Sequence, residues 1–276
     1  MITTSFRIEY RAGQVFKIAN LADIHFDDPA CDEDKLRHDL ALMDDNCYII
    51  GNGDIFSAIT LGDKRYSKVG DSSQSPAFVS DAVKRMKNIL YPYRKRFIGI
   101  GIGNHEEKYI TKTATDPVDL LCDALSDDTH RVAHLGLQSI INLTFVHAGG
   151  GRGRTVQIFK HHGWGQAAQT EGGNITKFEK RIKTWDSPDV FMFGHVHDKD
   201  WKELKPKIGV TSRGKYYTSR RFLLITGPYL RTFTDGKYPS YSERQCFQPS
   251  ALGCNGIKIM IDDEKHIEYW DPTSKM

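Results

Sequence analysis

The chain has 276 residues, of which 39% are hydrophobic and 11% aromatic, and this much apolar side chain excludes a disordered protein. The 38 Lys and Arg residues against 35 Asp and Glu give a net charge of +3, a balance that does not indicate a nucleic-acid binder. No stretch approaches the ~18 consecutive apolar residues of a membrane span, and the first residues lack the apolar centre of a signal peptide.

Strand-like and helix-like stretches alternate along the chain. The strand-like stretches are Val15–Ala22, Cys47–Gly51, Arg96–Ile102, Ser139–Val146, Thr155–Lys160, Asp189–Phe193, Phe222–Thr226 and Gly256–Ile261. The helix-like stretches are Asp32–Asp45, Ser80–Leu90, Asp116–Leu125 and Thr176–Trp185. This alternation predicts an α/β fold.

The two ends of the chain differ from this pattern. After Gly194 the sequence is rich in strand-like stretches, so we expect residues 198–276 to complete the same core. We expect residues 1–276 to form a single domain in which residues 1–14 are an N-terminal extension, with Ile2–Tyr10 as an added edge strand or part of an interface. The polar stretch Ser57–Pro76 is typical of a long surface loop beside a site.

Charge is unevenly distributed despite the small net value. Residues 21–54 contain ten Asp and Glu against two Lys and Arg, and residues 199–237 contain ten Lys and Arg against three Asp and Glu. These stretches are either two solvated faces, or an acidic edge that binds cations and a basic edge that binds anions.

Five short polar segments each follow a strand-like stretch. They are Asp23-Ile24-His25, Gly53-Asp54, Gly103-Asn104-His105-Glu106, His161-His162-Gly163 and Gly194-His195-Val196-His197. Residues two apart on a strand point to the same side, and strand ends in α/β sheets open onto ligand-binding loops. Imidazoles combined with carboxylates suit Mn, Fe or Zn, and this set is large enough for two ions that share one carboxylate.

In this order the segments resemble the signature of the calcineurin-like metallophosphoesterase superfamily, over residues 15–197. The resemblance implies a four-layer α-β-β-α sandwich of two mixed sheets, with a site for two metal ions at one end. It assigns to the first ion Asp23, His25 and His197. It assigns to the second ion Asn104, His195 and one histidine of the His161/His162 pair, and it makes Asp54 the bridge between the ions.

Within the histidine pair we expect His161 to be the ligand, because it directly ends the strand Val156–Lys160. His162 would then line the substrate pocket. The resemblance identifies His105 as the histidine that contacts phosphate without binding metal and helps to protonate the leaving oxygen. Asn104 and Asp54 belong to the same catalytic centre, and Glu106 completes the motif.

The implied reaction is hydrolysis of a phosphoester by a metal-bridging hydroxide that attacks phosphorus. The chain lacks the Asp-Arg-Gly that protein phosphatases carry after their Gly-Asp segment, having Ser57 at the Asp position, and it has Lys108 where their next motif has Arg. We therefore expect a phosphodiesterase, acting on small diesters, nucleotides or single-stranded nucleic-acid ends, with Arg213 and Arg231 as phosphate contacts. The alternatives are a phosphomonoesterase of broad specificity and a non-catalytic metal-binding scaffold.

The remaining expectations concern metals and location. Two divalent ions are expected, with Mn first and Fe, Zn, Ni or Co as alternatives. The five scattered cysteines are typical of reduced thiols, with a Cys246–Cys254 bridge as the alternative. The stretches His161–Gly165 and Tyr229–Phe233 resemble those of a nuclease-like branch common in phages and bacteria. We therefore expect a cytoplasmic, bacterial or phage-encoded protein without a membrane partner. The oligomeric state is not indicated.

Overall fold

The structure is a computed structural model that describes residues 1–60, 78–151, 153–210, 214–235, 239–262 and 264–273. Most of the predicted loop Ser57–Pro76 therefore lies outside the described residues, as does Arg213. Among the described helices, none is both long and apolar enough to cross a membrane. All five cysteines fall in described ranges and are free thiols, so the alternative Cys246–Cys254 bridge is not formed.

The described strands form two six-stranded mixed sheets. The first sheet has the order β1-β6-β7-β8-β10-β9, and its strands are β1 (Ile2–Tyr10), β6 (Gln138–His147), β7 (Arg154–His161), β8 (Val190–Phe193), β9 (Asp200–Val210) and β10 (Tyr216–Ile225). The second sheet has the order β12-β11-β2-β3-β4-β5, and its strands are β2 (Val15–Leu21), β3 (Cys47–Asn52), β4 (Phe97–Gly101), β5 (Ala133–His134), β11 (Asn255–Ile261) and β12 (Lys265–Trp270).

The described residues form six α-helices and one 3-10 helix. They are α1 (Glu33–Ala41), α2 (Phe78–Leu90), α3 (Asn104–Thr113), α4 (Pro117–Leu125), α5 (Gly173–Ile182) and α6 (Tyr241–Arg244), with a 3-10 helix at Tyr91–Arg96. Apolar residues of α1, α2 and α4 pack on the second sheet, and those of α5 pack on the first. A third apolar cluster fills the space between the sheets. This arrangement confirms the predicted four-layer α-β-β-α sandwich.

Parallel pairing brings the ends of distant strands together. In the second sheet β3 pairs in parallel with β2 and with β4, and in the first sheet β8 pairs in parallel with β7. The carboxyl ends of these strands therefore lie at one end of the sandwich, and all five polar segments begin there. The C-terminal part contributes β9 and β10 to the first sheet and β11 and β12 to the second.

One local prediction is confirmed and one element was not anticipated. The segment Ile2–Tyr10 forms an edge strand parallel to β6. The glycine-rich stretch after His147 connects the antiparallel strands β6 and β7. The helix α3 was not predicted, because its exposed, largely polar sequence shows no apolar stripe. It begins at Asn104, so a helix N-terminus faces the predicted site.

Glycine is required where the polar segments pack against one another. A Cβ on Gly103 would collide with the carboxylate of Asp54, and a Cβ on Gly194 would lie 2.6 Å from Oδ2 of Asp23. The glycines that follow β4 and β8 thus allow the backbone to pass directly beside two carboxylates.

Candidate metal centre

The polar segments leave their strands in an uncommon backbone conformation. Five of the predicted site residues have positive φ angles between 49° and 73°, namely Asp23, His25, Asp54, His195 and His197. Such left-handed backbone in non-glycine residues costs on the order of 1–3 kcal/mol each and persists only where surrounding contacts hold it. All five strained residues therefore lie at the same end of the sandwich, where their side chains converge.

The first group of converging side chains consists of Asp23, His25 and His197, whose ligand atoms all lie within 4.8 Å of one another. The Nε2 atoms of His25 and His197 are 3.3 Å apart, and Nε2 of His197 is 3.4 Å from Oδ1 of Asp23. The backbone N–H of His195 donates to both carboxylate oxygens of Asp23, at 3.1 and 2.8 Å. The first group therefore joins segments from both sheets.

The second group consists of Asp54, His162 and His195, with Asn104 beside them. Nε2 of His162 is 3.1 Å from Oδ2 of Asp54. Oδ1 of Asn104 lies 3.2 Å from Nε2 of His162 and 2.7 Å from Nδ1 of His195. These distances place one amide oxygen, one carboxylate and two imidazoles around a common point.

Asp54 lies between the two groups. Its Oδ2 is 3.1 Å from Nε2 of His162 in the second group and 3.8 Å from Nε2 of His25 in the first. Its Oδ1 accepts the backbone N–H of His105 at 3.0 Å. Burial alone would raise the pKa of Asp54, but the neighbouring imidazoles of His162 and His105 hold that pKa well below its usual value. The carboxylate is therefore ionised and available to both groups.

Backbone carbonyls determine which imidazole nitrogens point into the second group. Nδ1 of His162 donates to the carbonyl of Asn52 at 2.8 Å, and Nε2 of His195 donates to the carbonyl of Gly165 at 2.8 Å. Since a carbonyl can only accept, each ring in its neutral form turns its unprotonated nitrogen towards the amide oxygen of Asn104 and the carboxylate of Asp54. Lone pairs that face one another repel, and a divalent cation between them removes this repulsion. These residues therefore fit a metal ion.

Burial and the neighbouring charged groups shift the pKa values of the site's histidines in opposite directions. Although burial lowers the pKa of His162, its contacts with Asp54 and Asp23 raise that pKa to about 9. Burial likewise lowers the pKa of His197, but its hydrogen bond to Asp23 produces a net rise. The pKa of His25 is held well below its usual value by burial and by the neighbouring His105. A proton on His162 thus partly balances the carboxylates that a cation would balance.

The structure reverses the expectation for the histidine pair, because His162 and not His161 reaches the second group. His161 stacks on Phe159 and contacts Trp164 on the outer face of the first sheet, under α5. The reason is strand alternation: Phe159 and His161 share the outer face, whereas Lys160 and His162 point to the inner one. The apolar residues Val156 and Ile158, which face the space between the sheets, were the signal that could have selected His162.

The other predicted site residues are placed as follows. His105 lies at the edge of the first group, with its ring centroid 4.7 Å from that of His25. The guanidinium of Arg231 pairs with Asp32 at 2.8 Å, at the start of α1, rather than pointing into either group. Arg213 lies outside the described residues. The structure therefore brings together all the predicted ligands except His161 and adds His162 to them.

Sequence reasoning assigned no contact to Glu106, which anchors two of the segments. Its fully buried carboxylate accepts the backbone N–H groups of Asp54 at 3.0 Å, Phe56 at 2.9 Å and Gly103 at 2.8 Å. These donors belong to the loops after β3 and β4. Glu106 thus fixes the position of Asp54 relative to the start of α3.

Buried polar residues near the ends of the strands form hydrogen bonds next to the two groups. Nζ of Lys160 donates to the carbonyl of Gly136 at 2.6 Å, and burial lowers the pKa of this amine to about 7. Asn52 donates to Oδ1 of Asn20 at 3.1 Å, and Asn20 donates to the carbonyl of Phe193 at 2.9 Å. These side chains link the two sheets directly beneath the groups. A polar residue at the inner-facing end of an apolar strand was the signal for them.

Comparisons with known proteins add little beyond the fold. No protein-family model matches the chain, and no curated protein matches it. Among solved structures, a predicted phosphoesterase from Streptococcus pneumoniae is similar with 12% identity and a TM-score of 0.31, over 95% of this chain and 92% of that one. Vacuolar protein sorting 29 from Cryptosporidium parvum is similar with 12% identity and a TM-score of 0.34, over 92% and 96% of the two chains.

A third similar structure is Vps29 of Entamoeba histolytica complexed with Zn²⁺, with 11% identity and a TM-score of 0.36, over 94% of this chain and 100% of that one. At identities and TM-scores this low, the functional conclusion rests on the side chains of the site itself.

Proposed function

We propose that the protein is a metal-dependent phosphoesterase that holds two divalent ions at the end of the sandwich. The first ion would be held by Asp23, His25 and His197, the second by Asn104, His162 and His195, and both by Asp54. The observation that carries this proposal is the position of Asp54, whose Oδ2 lies 3.1 and 3.8 Å from a ring nitrogen of each group. A shared carboxylate is what a site for two neighbouring ions requires.

Two bound ions supply charge neutralisation for a phosphate and a water of lowered pKa as the nucleophile. The protein's own residues do the rest. The buried glycine-lined loops keep the carboxylates close together, and hydrogen bonds to backbone carbonyls hold the imidazoles of His162 and His195 in one orientation. No serine or cysteine nucleophile is needed in this scheme.

His105 is the residue proposed to supply a proton to the leaving oxygen. Its Nδ1 contacts the carbonyl of Ser57 at 2.9 Å, which leaves Nε2 as the ring atom that can transfer a proton. Its backbone N–H is already bound to Asp54, so the ring is fixed at the edge of the site. When protonated, the ring also presents positive charge to a phosphate.

The proposed substrate is a phosphodiester, either a small diester, a nucleotide or a single-stranded nucleic-acid end, and Mn is the first choice of metal. The residues that distinguish protein phosphatases are missing here, since Ser57 and Lys108 stand at two of their positions. The mixed imidazole and oxygen ligands favour Mn, Fe or Zn over Mg or Ca.

The test is hydrolysis of paired aryl phosphate monoesters and diesters by the metal-depleted protein after addition of Mn, Ni, Co or Zn. The panel should include cyclic nucleotides and single-stranded DNA, with the Asp54→Asn variant as the inactive control. Metal-dependent turnover that is greater for diesters supports the proposal. Turnover of monoesters alone would indicate a phosphomonoesterase, and metal binding without any hydrolysis would indicate a scaffold.

A further inference from the structure

Two histidines of the site meet at one buried residue, Ser57. Its hydroxyl Oγ lies 2.9 Å from Nδ1 of His25, and its carbonyl oxygen lies 2.9 Å from Nδ1 of His105. Ser57 is 4% exposed, so water does not compete for these contacts. A single residue therefore contacts both the proposed ligand and the proposed proton donor, through different groups.

The chemistry of the two contacts determines where the protons lie. A carbonyl can only accept, so His105 must carry a proton on Nδ1. His25 turns Nε2 towards His197 and Asp54, and a nitrogen that binds metal carries no proton. With a cation at Nε2, the proton of the neutral His25 ring is on Nδ1, where Oγ of Ser57 accepts it.

The turn that contains Ser57 is held by Asp27. Oδ1 of Asp27 accepts the N–H of Ser57 at 2.5 Å, and Oδ2 accepts the N–H of Ala58 at 2.8 Å. Ala58 has a φ of 46°, a left-handed conformation that needs such support in a residue other than glycine. Since Asp27 is only two residues beyond His25, it ties the loop after β2 to the loop after β3.

We infer that Asp27 and Ser57 are positioning residues that act on His25 and His105 separately: the hydroxyl of Ser57 orients the ring of His25, and its carbonyl fixes the proton of His105 on Nδ1. The carboxylate of Asp27 acts on the backbone of the turn, so the acceptor that touches His105 is neutral. The roles of His25 and His105 in this inference rest on the proposed function. The contact of His105 with the carbonyl of Ser57 does not, and it can be tested without metal or substrate.

The direct test is ¹⁵N NMR of the histidine rings in the metal-free protein at a pH where both rings are neutral. We expect the Nδ1–H form for His105. The Ser57→Ala variant keeps the carbonyl and loses the hydroxyl, so it should shift the ring nitrogen signals of His25 and leave those of His105 unchanged. The matched control is Ser139→Ala, since Ser139 is also buried and its hydroxyl has no hydrogen-bond partner among the described residues.

The second test is made on the Mn-bound protein, and it separates the effect on the metal ligand His25 from the effect on the proton donor His105. Ser57→Ala should weaken Mn binding roughly 10–100-fold by calorimetry, as loss of an outer hydrogen-bonding partner does elsewhere. It should not change how kcat depends on the pKa of an aryl leaving group. Asp27→Asn loosens the turn itself, so it should also make that dependence steeper.

An Nε2–H form of His105 in the wild-type protein would overturn the inference. So would a Ser57→Ala variant that shifts His105 as much as His25. Absence of hydrolysis by the wild-type protein would contradict the proposed function instead, and would leave the NMR result to decide the inference.

Discussion

The Nε2 atoms of His25 and His197 lie 3.3 Å apart at the end of the sandwich, next to the buried carboxylate of Asp23. Two ring nitrogens at this distance repel each other unless a proton or a cation lies between them. We therefore expect divalent metal to stabilise the folded protein. At a free metal concentration 100 times the Kd, stability should rise by about 2.7 kcal/mol.

Thermal unfolding with and without Mn, and after chelation, measures this effect. The His197→Asn variant should lose most of the metal-dependent rise in Tm, whereas His266→Asn, at an exposed position on β12, should keep it. An identical Tm with and without Mn would contradict the expectation.

The adjacent histidines provide a matched pair of variants. His162→Gln removes a ring nitrogen from the second group, so we expect metal affinity to fall by more than the roughly 10–100-fold that loss of an outer partner costs. His161→Gln loses ring contacts with Phe159 and Trp164, so it should lower stability by about 1 kcal/mol and keep metal affinity. Calorimetric titration with Mn and urea unfolding distinguish the two, and the opposite pattern would restore His161 as the ligand.

Metal affinity should depend on pH through His162. Its pKa in the folded protein is about 9 against an ordinary 6.5, so its protonated form stabilises the metal-free fold. That contribution is fully present below pH 6.5 and is lost as the pH rises towards 9. A metal ion must displace the same proton, so its apparent affinity should rise roughly tenfold per pH unit over this interval.

Calorimetry in buffers of different ionisation enthalpy should detect proton release on Mn binding at pH 7.5. His162→Gln should reduce that release. An affinity that does not change between pH 7 and 9 would argue against a protonated His162.

Glu106→Gln tests the buried anchor of the loops after β3 and β4. The glutamine amide presents an N–H group to a site where three backbone N–H groups already donate, so one donor is left without an acceptor. We expect a loss of roughly 1–3 kcal/mol in the free energy of unfolding. Glu107→Gln is the control, since this neighbour is exposed on the same helix and should change stability little.

Urea unfolding of the metal-free proteins gives both values. Equal stability of the two variants would show that the carboxylate of Glu106 is not needed by its donors.

Ala114 offers a test that is independent of the site. It ends α3 with a φ of 55°, and its side chain is exposed. Glycine adopts this left-handed conformation without the Cβ penalty, so Ala114→Gly should stabilise the protein by about 1 kcal/mol. Unfolding in urea measures the change, and a destabilised variant would contradict the assigned end of the helix.

Several features of the site could be predicted before the fold was known. The order of the polar segments and their positions after apolar stretches predicted which strands end together, because parallel strands place their carboxyl ends at one edge. Strand alternation in β7 would also have predicted His162 as the ligand, since His162 lies on the same face of the strand as Val156, Ile158 and Lys160. His161 was preferred because it directly ends the strand, and the alternation of inner and outer faces along that strand was not considered.

Other features were decided by contacts between segments far apart in the chain. His105 contacts the carbonyl of Ser57, and His162 contacts the carbonyl of Asn52. Contacts with backbone carbonyls cannot be predicted from the pattern of side chains in the sequence. The ion pair of Arg231 with Asp32 likewise depends on a loop from the C-terminal part reaching α1.

The α/β alternation, the types of ligand and their order could be predicted from neighbouring residues, because periodicity and local chemistry are local properties of the chain. Which atoms meet, and which nitrogen of His162 carries a proton, required the folded structure. These relations depend on the packing of two sheets and on backbone carbonyls, which come into contact only when segments more than a hundred residues apart fold together.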